Sequence, residues 1–237
     1  MRAMPASVRA SARPAMATYW RLNADVTVAV SAGRAVFLDI ARDRYVMLPP
    51  PLNAMFVEWL GGPAGAMPEA CLSALAARLG FESESRCPAR AISLAIPCDV
   101  PGAMLPRVRP GLDAVLGVAA AVIRAKRMLS RIPLRANLER RRSMLDRPVR
   151  RVADRQATAA KAAVYHAVRH LAPVRRVCLL DSLALVDWLG EDLEAVQLVF
   201  GVTAYPFGAH CWVQTRHALL GDPPDTIGRY VPILHLG

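Results

Sequence analysis

Past Pro173 the chain leaves an arginine-rich region and becomes a series of apolar segments. The segment CLLDSLALVDWLG (178–190) predicts a buried helix that ends at a glycine, and AVQLVFGV (195–202) predicts a strand. AHCWVQT (209–215) predicts a second strand, and HALLGD (217–222) predicts a third. A helix packed against an antiparallel sheet is an α+β arrangement, so we expect this part of the chain to fold in that class.

Three runs of β-branched and aromatic residues near the start of the chain are separated by turns of two or three residues. This pattern predicts an antiparallel meander, with strands at 26–31, 34–40 and 44–48. A proline triplet follows and can begin a helix, because proline fits the first helical turn. Helical spacing of apolar residues then predicts two helices, at 52–62 and 68–80. Three strands and two helices predict a small winged-helix-like domain.

These sequence patterns divide the chain into four segments. Its start is rich in arginine, serine, alanine and proline and lacks the apolar centre of a secretory signal, which indicates disorder. A proline-rich, polar segment in the middle indicates a linker, with one short strand at 91–96. Helical spacing resumes at 112–131 and 155–173. The predicted organisation is a disordered start at 1–18, an N-terminal domain at 19–82, a linker at 83–111 and a C-terminal domain at 112–237.

Positive charge is concentrated in the middle of the chain. The net charge is +11, yet residues 101–177 alone carry 18 basic and 4 acidic side chains, whereas residues 178–237 carry 2 basic and 7 acidic ones. Such a density of arginine can bind nucleic acid or an acidic partner, or form a solvated helical face. No aromatic side chains are interleaved with the arginine clusters as base-stacking platforms. We therefore expect no nucleic-acid partner.

Cysteine and histidine spacing argues against metal and disulfide chemistry. The odd number of cysteines, without CxxC spacing, favours neither a disulfide framework nor a zinc site. His166 and His170 have the i,i+4 spacing of zinc ligands but lack the glutamate of HExxH and a nearby third ligand, so we expect no metal site. No apolar run approaches ~20 residues, so we expect no membrane insertion and a cytoplasmic protein. The cysteines are Cys71, Cys87, Cys98, Cys178 and Cys211.

Three residues of the C-terminal part have the chemistry of a nucleophile, a base and an orienting acid. Cys178 begins the predicted helix, where unpaired N–H groups and the helix dipole favour a thiolate and offer a donor to an oxyanion. Arg175 and Arg176 precede it and are expected to strengthen this effect. His210 lies on the second predicted strand and Asp222 ends the third. A thiol, an imidazole that takes its proton and a carboxylate that orients the imidazole perform acyl transfer, so these are the predicted catalytic residues.

Neighbouring residues offer alternatives for these roles. Asp225 is a second candidate for the acid, and His217 is a second candidate for the base. Cys211 alternates to the opposite face of the strand from His210, which indicates a structural role. Trp212 shares the face of His210 and is expected either to cover the site or to pack in the core.

The run CLLDSLAL…WLG…LVFGV…YPFGAHCWVQ…LGD…YVPIL resembles the lasso-peptide B protein, the leader peptidase of lasso-peptide biosynthesis. The resemblance is specific over about residues 155–237. It implies a papain/transglutaminase-like cysteine peptidase domain in which Cys178 is the nucleophile, His210 the base and Asp222 the orienting acid. It also implies two partners, the lasso precursor peptide and an asparagine-synthetase-like cyclase that uses ATP to close the macrolactam ring.

The N-terminal segment FLDIARDRYVMLPP (37–50) is similar to the leader-recognition domain of peptide-modifying enzymes. In that family the leader peptide adds a strand to the sheet edge beside a helix, which is β-augmentation. The resemblance implies a groove between the third strand and the second helix. The residues that it implies for leader binding are Phe37, Asp39, Arg44, Tyr45, Val46, Met47, Leu72, Leu75 and Leu79.

The sequence leaves two other functions open. The same three residues suit an acyltransferase that passes the acyl group to an amine, as transglutaminases and arylamine acetyltransferases do. A non-enzymatic, basic winged-helix protein is the other alternative. The chain has no GxxxxGK[ST] phosphate loop, so we expect no cofactor bound by an evident motif and any ATP dependence to come through the partner cyclase.

Overall fold

The computed structural model describes residues 19–62, 69–79, 81–85, 94–99, 110–146, 155–190 and 195–237; the start predicted to be disordered lies outside them. The strands in these ranges are β1 (Tyr19–Leu22), β2 (Val26–Ser31), β3 (Arg34–Asp39), β4 (Arg44–Met47), β5 (Phe81–Ser85), β6 (Gln197–Ala204), β7 (Phe207–Gln214) and β8 (Val231–Leu236). The α-helices are α1 (Pro50–Gly61), α2 (Glu69–Leu79), α3 (Leu112–Arg131), α4 (Leu134–Leu145), α5 (Arg155–Val168), α6 (Cys178–Leu189) and α7 (Pro224–Ile227). None of these helices combines the length and the apolar composition that crossing a membrane requires. Helices and antiparallel sheets are mixed, as the sequence predicts.

The three N-terminal strands form the predicted antiparallel meander. Strand β3 pairs with β2 on one side and with β4 on the other. Ala32 and Gly33 turn the first hairpin with φ angles of 46° and 74°. Positive φ at both positions is the geometry of a two-residue turn whose twist matches that of the flanking strands. The turn therefore sets the register of the sheet locally.

Strand β3 is buried on both faces. Val36 and Leu38 point with Ala29 of β2 into the main hydrophobic core, which the helices and sheet of the C-terminal half also build. Phe37 points the other way, into a second core made with α1 and α2, and its ring centroid lies 5.1 Å from that of Phe56. The N-terminal sheet is therefore a layer between its own helices and the C-terminal half of the molecule.

Helices α1 and α2 follow the meander in the predicted order. The side chain of Asn53 on α1 accepts the N–H of Ala35 and donates to the carbonyl of Gly33, both at 2.8 Å, which ties the helix to the first hairpin. A separate two-stranded sheet of β1 and β5, which the sequence pattern does not predict, also belongs to this half. The winged-helix-like arrangement stays a prediction, because the order of strands and helices alone does not define that fold.

The C-terminal sheet has the strand order β7-β6-β8. The predicted helix and first two strands of this half are confirmed as α6, β6 and β7. The third strand predicted at 217–222 is wrong, because this described segment contains no strand but isolated bridges at Ala218 and Leu219. Pro223 and Pro224 follow, and since proline lacks an N–H they cannot extend a ladder. The third strand of the sheet is β8, which pairs with β6.

Helix α4 has no counterpart among the predicted elements, because its LERRRS run has the composition of a basic surface cluster. Its buried positions nevertheless follow helical spacing: Leu134, Asn137, Leu138 and Arg141. The side chain of Arg141 is 1% exposed, and its guanidinium lies 2.8 Å from the carboxylate of Asp187 on α6. A buried charge satisfied by an ion pair interrupts the apolar pattern on which the sequence prediction depends.

Part of the predicted linker packs against the C-terminal sheet. Leu94 and Ile96 contact a small core around Trp212. The described part of this segment forms no strand, so that part of the strand predicted at 91–96 is wrong. Residues 91–93 lie outside the described residues. The segment before α3 thus contacts the half of the molecule that follows it.

Because β3 contributes to both cores, we expect Leu38→Ala to destabilise the whole molecule by about 2–5 kcal/mol and unfolding to remain a single transition. Leu38 is 1% exposed, and chemical denaturation followed by circular dichroism and tryptophan fluorescence measures the effect. Leu112→Ala is the control: this side chain is 73% exposed. Its substitution should change the free energy of unfolding by less than about 0.5 kcal/mol. Two separate unfolding transitions would contradict a shared core.

Candidate active site

Cys178 is the first residue of α6, as predicted. Val177 before it has extended backbone, with φ −142° and ψ 131°, and its carbonyl accepts the N–H of Asp181 at 2.9 Å. The thiol therefore lies at a helix N-terminus, where N–H groups without helical partners and the positive end of the helix dipole stabilise negative charge.

Strand β7 brings His210 to this end of the helix. Ser182, one turn after Cys178, donates its hydroxyl hydrogen to the carbonyl of Cys211 at 2.8 Å, and this bond is buried. It joins α6 to β7 at the residue next to His210. The sequence contains no clear signal for this role, since a lone serine in an apolar helix commonly bonds within its own helix.

Asp222 meets the imidazole at its Nε2 atom. Its Oδ2 lies 3.4 Å from Nε2 of His210. That distance exceeds an ordinary N–H···O hydrogen bond, and Nε2 is buried without a well-aligned partner among the described residues. The contact is therefore a charge interaction, of the kind that tightens when substrate excludes water. Asp225 is exposed in the first turn of α7, so the structure brings Asp222 and not Asp225 to the histidine.

The thiol and the imidazole favour each other's charged forms. Hydrogen bonding to His210 lowers the pKa of Cys178, burial opposes this, and the backbone N–H groups of Cys211 and Leu179 add to the lowering. The carboxylate of Asp222 and then the thiol of Cys178 raise the pKa of His210 to about 9. At neutral pH the imidazole therefore carries a proton, and the thiol beside it is predisposed to the thiolate.

Two aromatic rings stack on His210. The ring centroid of Trp212 lies 6.3 Å from that of the imidazole at an interplanar angle of 17°, and Tyr230 lies at 5.3 Å and 29°. Gly201 on β6 makes room for both, because a Cβ there would stand 2.6 Å from the Trp212 ring and 2.9 Å from Cβ of Tyr230. Trp212 is 1% exposed, so it packs in the core beneath the imidazole rather than covering the site.

His166 supports the loop that carries Asp222. Its Nε2 donates to the carbonyl of Leu220 at 2.7 Å. Gly221 lies directly against the ring, where a Cβ would stand 2.5 Å from Nε2. His170, its i,i+4 neighbour, is exposed in the 3₁₀ turn at 169–171, and the described part of the chain contains no group of side chains suited to hold a metal ion.

Cys178, His210 and Asp222 open onto one cavity of about 250 Å³. Leu185 and Val213 contribute apolar surface to its lining. Polar groups from both sides of the thiol complete it: His166, Arg176, Asp181 and Ser182. Because drug-sized ligands occupy pockets of ~300–1,000 Å³, this space suits a side chain of a larger substrate better than a whole cofactor.

Arg175 and Arg176 are not among the main causes of the lowered pKa of Cys178. Both side chains are exposed, and the guanidinium of Arg176 lies 3.3 Å from the carboxylate of Asp181, which also pairs with Arg169 at 2.7 Å. The groups that lower the pKa of Cys178 are instead an imidazole and backbone N–H groups. An arginine beside a helix start thus pairs with an acid of the same turn.

His217 does not line the cavity at the thiol, and the side chain of Cys211 points away from the cavity. His217 hydrogen-bonds with the guanidinium of Arg155 at 2.8 Å on an exposed turn. Cys211 points into the main core, where burial raises the pKa of its thiol. This agrees with the alternation predicted for the strand.

The residues expected to bind a leader peptide fall into two sets. Those with accessible surface are Arg44, Tyr45, Val46, Met47 and Leu72. Phe37, Leu75 and Leu79 instead lie inside the second core, and Asp39 is buried against the guanidinium of Arg42 at 2.9 Å. These four side chains are buried and have almost no surface to offer a peptide, and leader binding by the two sets stays a prediction.

The model of the transglutaminase-like superfamily matches residues 114–235, which is slightly more than half of the sequence. The chain belongs to the transglutaminase-like superfamily. Neither the curated proteins nor the solved structures include a match. Members of this superfamily are usually cysteine-dependent enzymes, either peptidases or acyltransferases. The matched residues of this transglutaminase-like domain contain Cys178, His210 and Asp222, while the N-terminal meander precedes them.

Alkylation of Cys178 tests the pairing of thiol and imidazole. Because His210 lowers the pKa of the thiol, iodoacetamide should modify Cys178 at pH values where an ordinary cysteine is protonated, and the rate should fall as acid protonates the thiolate. His210→Ala returns the pKa of Cys178 upward, so at about pH 7 the rate should drop about tenfold for each unit of that change. Peptide mapping by mass spectrometry measures each site. The exposed Cys98 is the internal control, and equal rates at Cys178 in both proteins would contradict the pairing.

Substitution of His166 tests whether it positions the acid. In His166→Ala the Leu220 carbonyl loses its donor, so Asp222 should move and the pKa of His210 should fall from about 9 toward its ordinary value. Histidine titration by NMR measures this shift. His166→Gln keeps an N–H donor and should restore much of it, and the exposed His170→Ala should leave it unchanged. An unaltered His210 titration in His166→Ala would show a merely structural role.

Proposed function

We propose that this protein is a cysteine peptidase that removes the leader peptide of a lasso-peptide precursor, ahead of ring closure by a partner cyclase. The observation that carries the proposal is the convergence of Cys178, His210 and Asp222 on one cavity within a transglutaminase-like domain. Support for a peptide substrate comes from the N-terminal sheet, whose strand β4 lies at its edge and contacts Phe207 of β7, the strand that carries His210.

The proposed reaction begins with attack of the Cys178 thiolate on the scissile carbonyl carbon. The carbonyl oxygen becomes an oxyanion, for which the N–H groups at the start of α6 are the nearest helical donors. His210 gives its proton to the leaving amine, and a thioester remains on Cys178. Water then attacks the thioester, His210 accepts its proton, and the leader leaves as a carboxylate. Asp222 stabilises the imidazolium in both steps.

Strand β4 is the proposed site for the leader. It pairs with β3 on one side, and no described strand pairs with its other side. Helix α2 lies beside this edge, since Arg78 of α2 donates to the carbonyl of Met47 at 3.4 Å. An extended peptide that adds to β4 would form backbone bonds with the strand and contact the helix with alternate side chains.

Tyr45 connects the edge strand β4 to strand β7. Its ring centroid lies 5.6 Å from that of Phe207, the first residue of β7. Burial raises the pKa of Tyr45 to about 12, and the charges of Cys211, Asp43 and Cys178 add to the rise. Tyr45 is thus within electrostatic range of the nucleophile. A leader bound along β4 would lie beside the strand that carries His210.

The proposed setting is the cytoplasm, where thiols stay reduced. The described cysteines, Cys71, Cys98, Cys178 and Cys211, are all unpaired. The proposed partners are the precursor peptide and an asparagine-synthetase-like cyclase, with ATP consumed by the cyclase. No step proposed for the peptidase itself uses a cofactor, nucleic acid or a membrane.

The test is a mass spectrum of a lasso precursor after incubation with the full-length protein, with and without the cyclase and ATP. We expect a free leader fragment from the native protein and from Cys98→Ala, which removes an exposed thiol away from the cavity. Cys178→Ala should abolish cleavage, by at least about 10³-fold, because the nucleophile is lost. Fluorescence anisotropy with labelled leader should give the same dissociation constant for all three proteins.

Two results would overturn the proposal. An intact precursor in every tube, with folded protein and bound leader, would exclude leader removal from that substrate. A new amide between the precursor and an added primary amine, formed in preference to hydrolysis, would instead identify an acyltransferase. Adding an amine such as glycine methyl ester to a parallel tube separates these outcomes.

A further inference from the structure

A surface groove of about 620 Å³ lies between α3 and α4. Its apolar lining consists of Ala120, Ile123, Met128 and Ile132, and four arginines surround these residues. None of the groove residues lines the cavity at Cys178. The reaction proposed above therefore makes no use of this groove.

The outer face of α3 continues the apolar surface of the groove. Leu112 is 73% exposed, Leu116 is 61% exposed and Ile123 is 36% exposed. Together with Arg127 and Arg131 they recur at steps of four or seven residues, so they share one side of the helix. This face is apolar over its first half and basic over its second. The opposite face of α3 is buried in the main core.

The four groove arginines carry more positive charge than Asp187 can offset, because its carboxylate attracts Arg124 and Arg140 but pairs directly with Arg141 at 2.8 Å. Arg124, Arg127, Arg131 and Arg140 form no ion pair with a described residue. Arg135 on the same helix as Arg140, by contrast, pairs with Asp25 at 2.8 Å and with Glu139 at 2.9 Å. The groove therefore combines exposed apolar side chains with an excess of positive charge.

We propose that this groove and the outer face of α3 bind an acidic amphipathic helix of a protein partner. The apolar half of the face requires apolar side chains, and the guanidinium groups require carboxylates. Helix α3 has 20 residues and spans roughly 30 Å, the length of a partner helix of similar size. The groove residues include no aromatic ring on which a nucleic-acid base could stack, and exposed leucines do not complement a phosphate backbone.

The test uses a fluorescein-labelled peptide of 20 residues made of leucine, glutamate and alanine, with leucine at i, i+3, i+4 and i+7 spacing. A second peptide of the same composition has the leucines scrambled, so it has equal charge and no apolar face. Fluorescence anisotropy with the native full-length chain should show at least about tenfold tighter binding of the amphipathic peptide, because both halves of the face then engage. No turnover is measured, so failure of the peptidase proposal leaves this result intact.

Two variants locate the binding. Arg127→Glu combined with Arg131→Glu should weaken binding of the amphipathic peptide at least about tenfold, through charge reversal in the groove. Arg216→Glu combined with Arg229→Glu makes the same change in net charge at exposed positions outside the groove. This control should keep the dissociation constant within about twofold, since distant surface charges are screened.

Three outcomes would overturn the proposal. Equal binding of the two peptides would show attraction by net charge alone. Equal loss in the groove variant and in the control variant would place the binding elsewhere. If the groove variant kept its affinity for the peptide but lost affinity for a single-stranded RNA or for phosphatidylserine vesicles, the groove would belong to those ligands instead.

Discussion

The burial of α6 is the constraint on which the rest of this structure depends. Leu183 and Ala184 at its centre have no exposed surface. Helices α3 and α5 cover one side of α6, and strand β7 covers the other. On α3, Gly117 accommodates the ring of Trp188, because a Cβ there would stand 2.6 Å from that ring. This close packing fixes the position of α6, and therefore that of its first residue, Cys178.

Two ion pairs fix the ends of this helix. The guanidinium of Arg169 lies 2.7 Å from Asp181 near the start of α6, and that of Arg141 lies 2.8 Å from Asp187 near its end. Both arginines are 1% exposed. Removing water from such pairs costs about as much as their attraction returns, so their main effect is to specify where the helix lies. Loss of one partner would leave a buried charge, at a cost of about 3–5 kcal/mol.

Much of the fold follows from local sequence patterns. The meander, α1, α2, α3, α6, β6 and β7 have strong apolar periodicity or turn residues, and their bounds agree with the pattern to within a few residues. Helix α4 is not predicted because its buried face includes the polar side chains of Asn137 and Arg141, and the ion-pair partner of Arg141, Asp187, is distant in sequence. The strand predicted at 217–222 is wrong for a related reason. Its Leu219 and Leu220 are buried, but by packing in a loop and not in a strand.

Some residues of the candidate site can likewise be predicted from the sequence, and others cannot. Cys178 and His210 are identified by their chemistry together with their positions on a helix start and a strand. Ser182 and His166 act through single bonds to backbone carbonyls at Cys211 and Leu220, and no local pattern encodes such bonds. Arg176 shows the opposite case, because it precedes Cys178 in the sequence but its guanidinium lies 3.3 Å from the carboxylate of Asp181.

The shared core also changes how a bound leader would deliver its cleavage site. A recognition domain on a flexible linker raises the local concentration of substrate but leaves the distance to the nucleophile variable. Here β3 packs into the main core, and the N–H of Ala204 donates to the hydroxyl of Ser31 at 3.2 Å, so β2 is bonded directly to β6. The edge of β4 therefore stands at a set distance from Cys178. A leader in register with β4 would present the same bond to the thiolate each time, and the length of chain between its binding segment and that bond would decide where cleavage occurs.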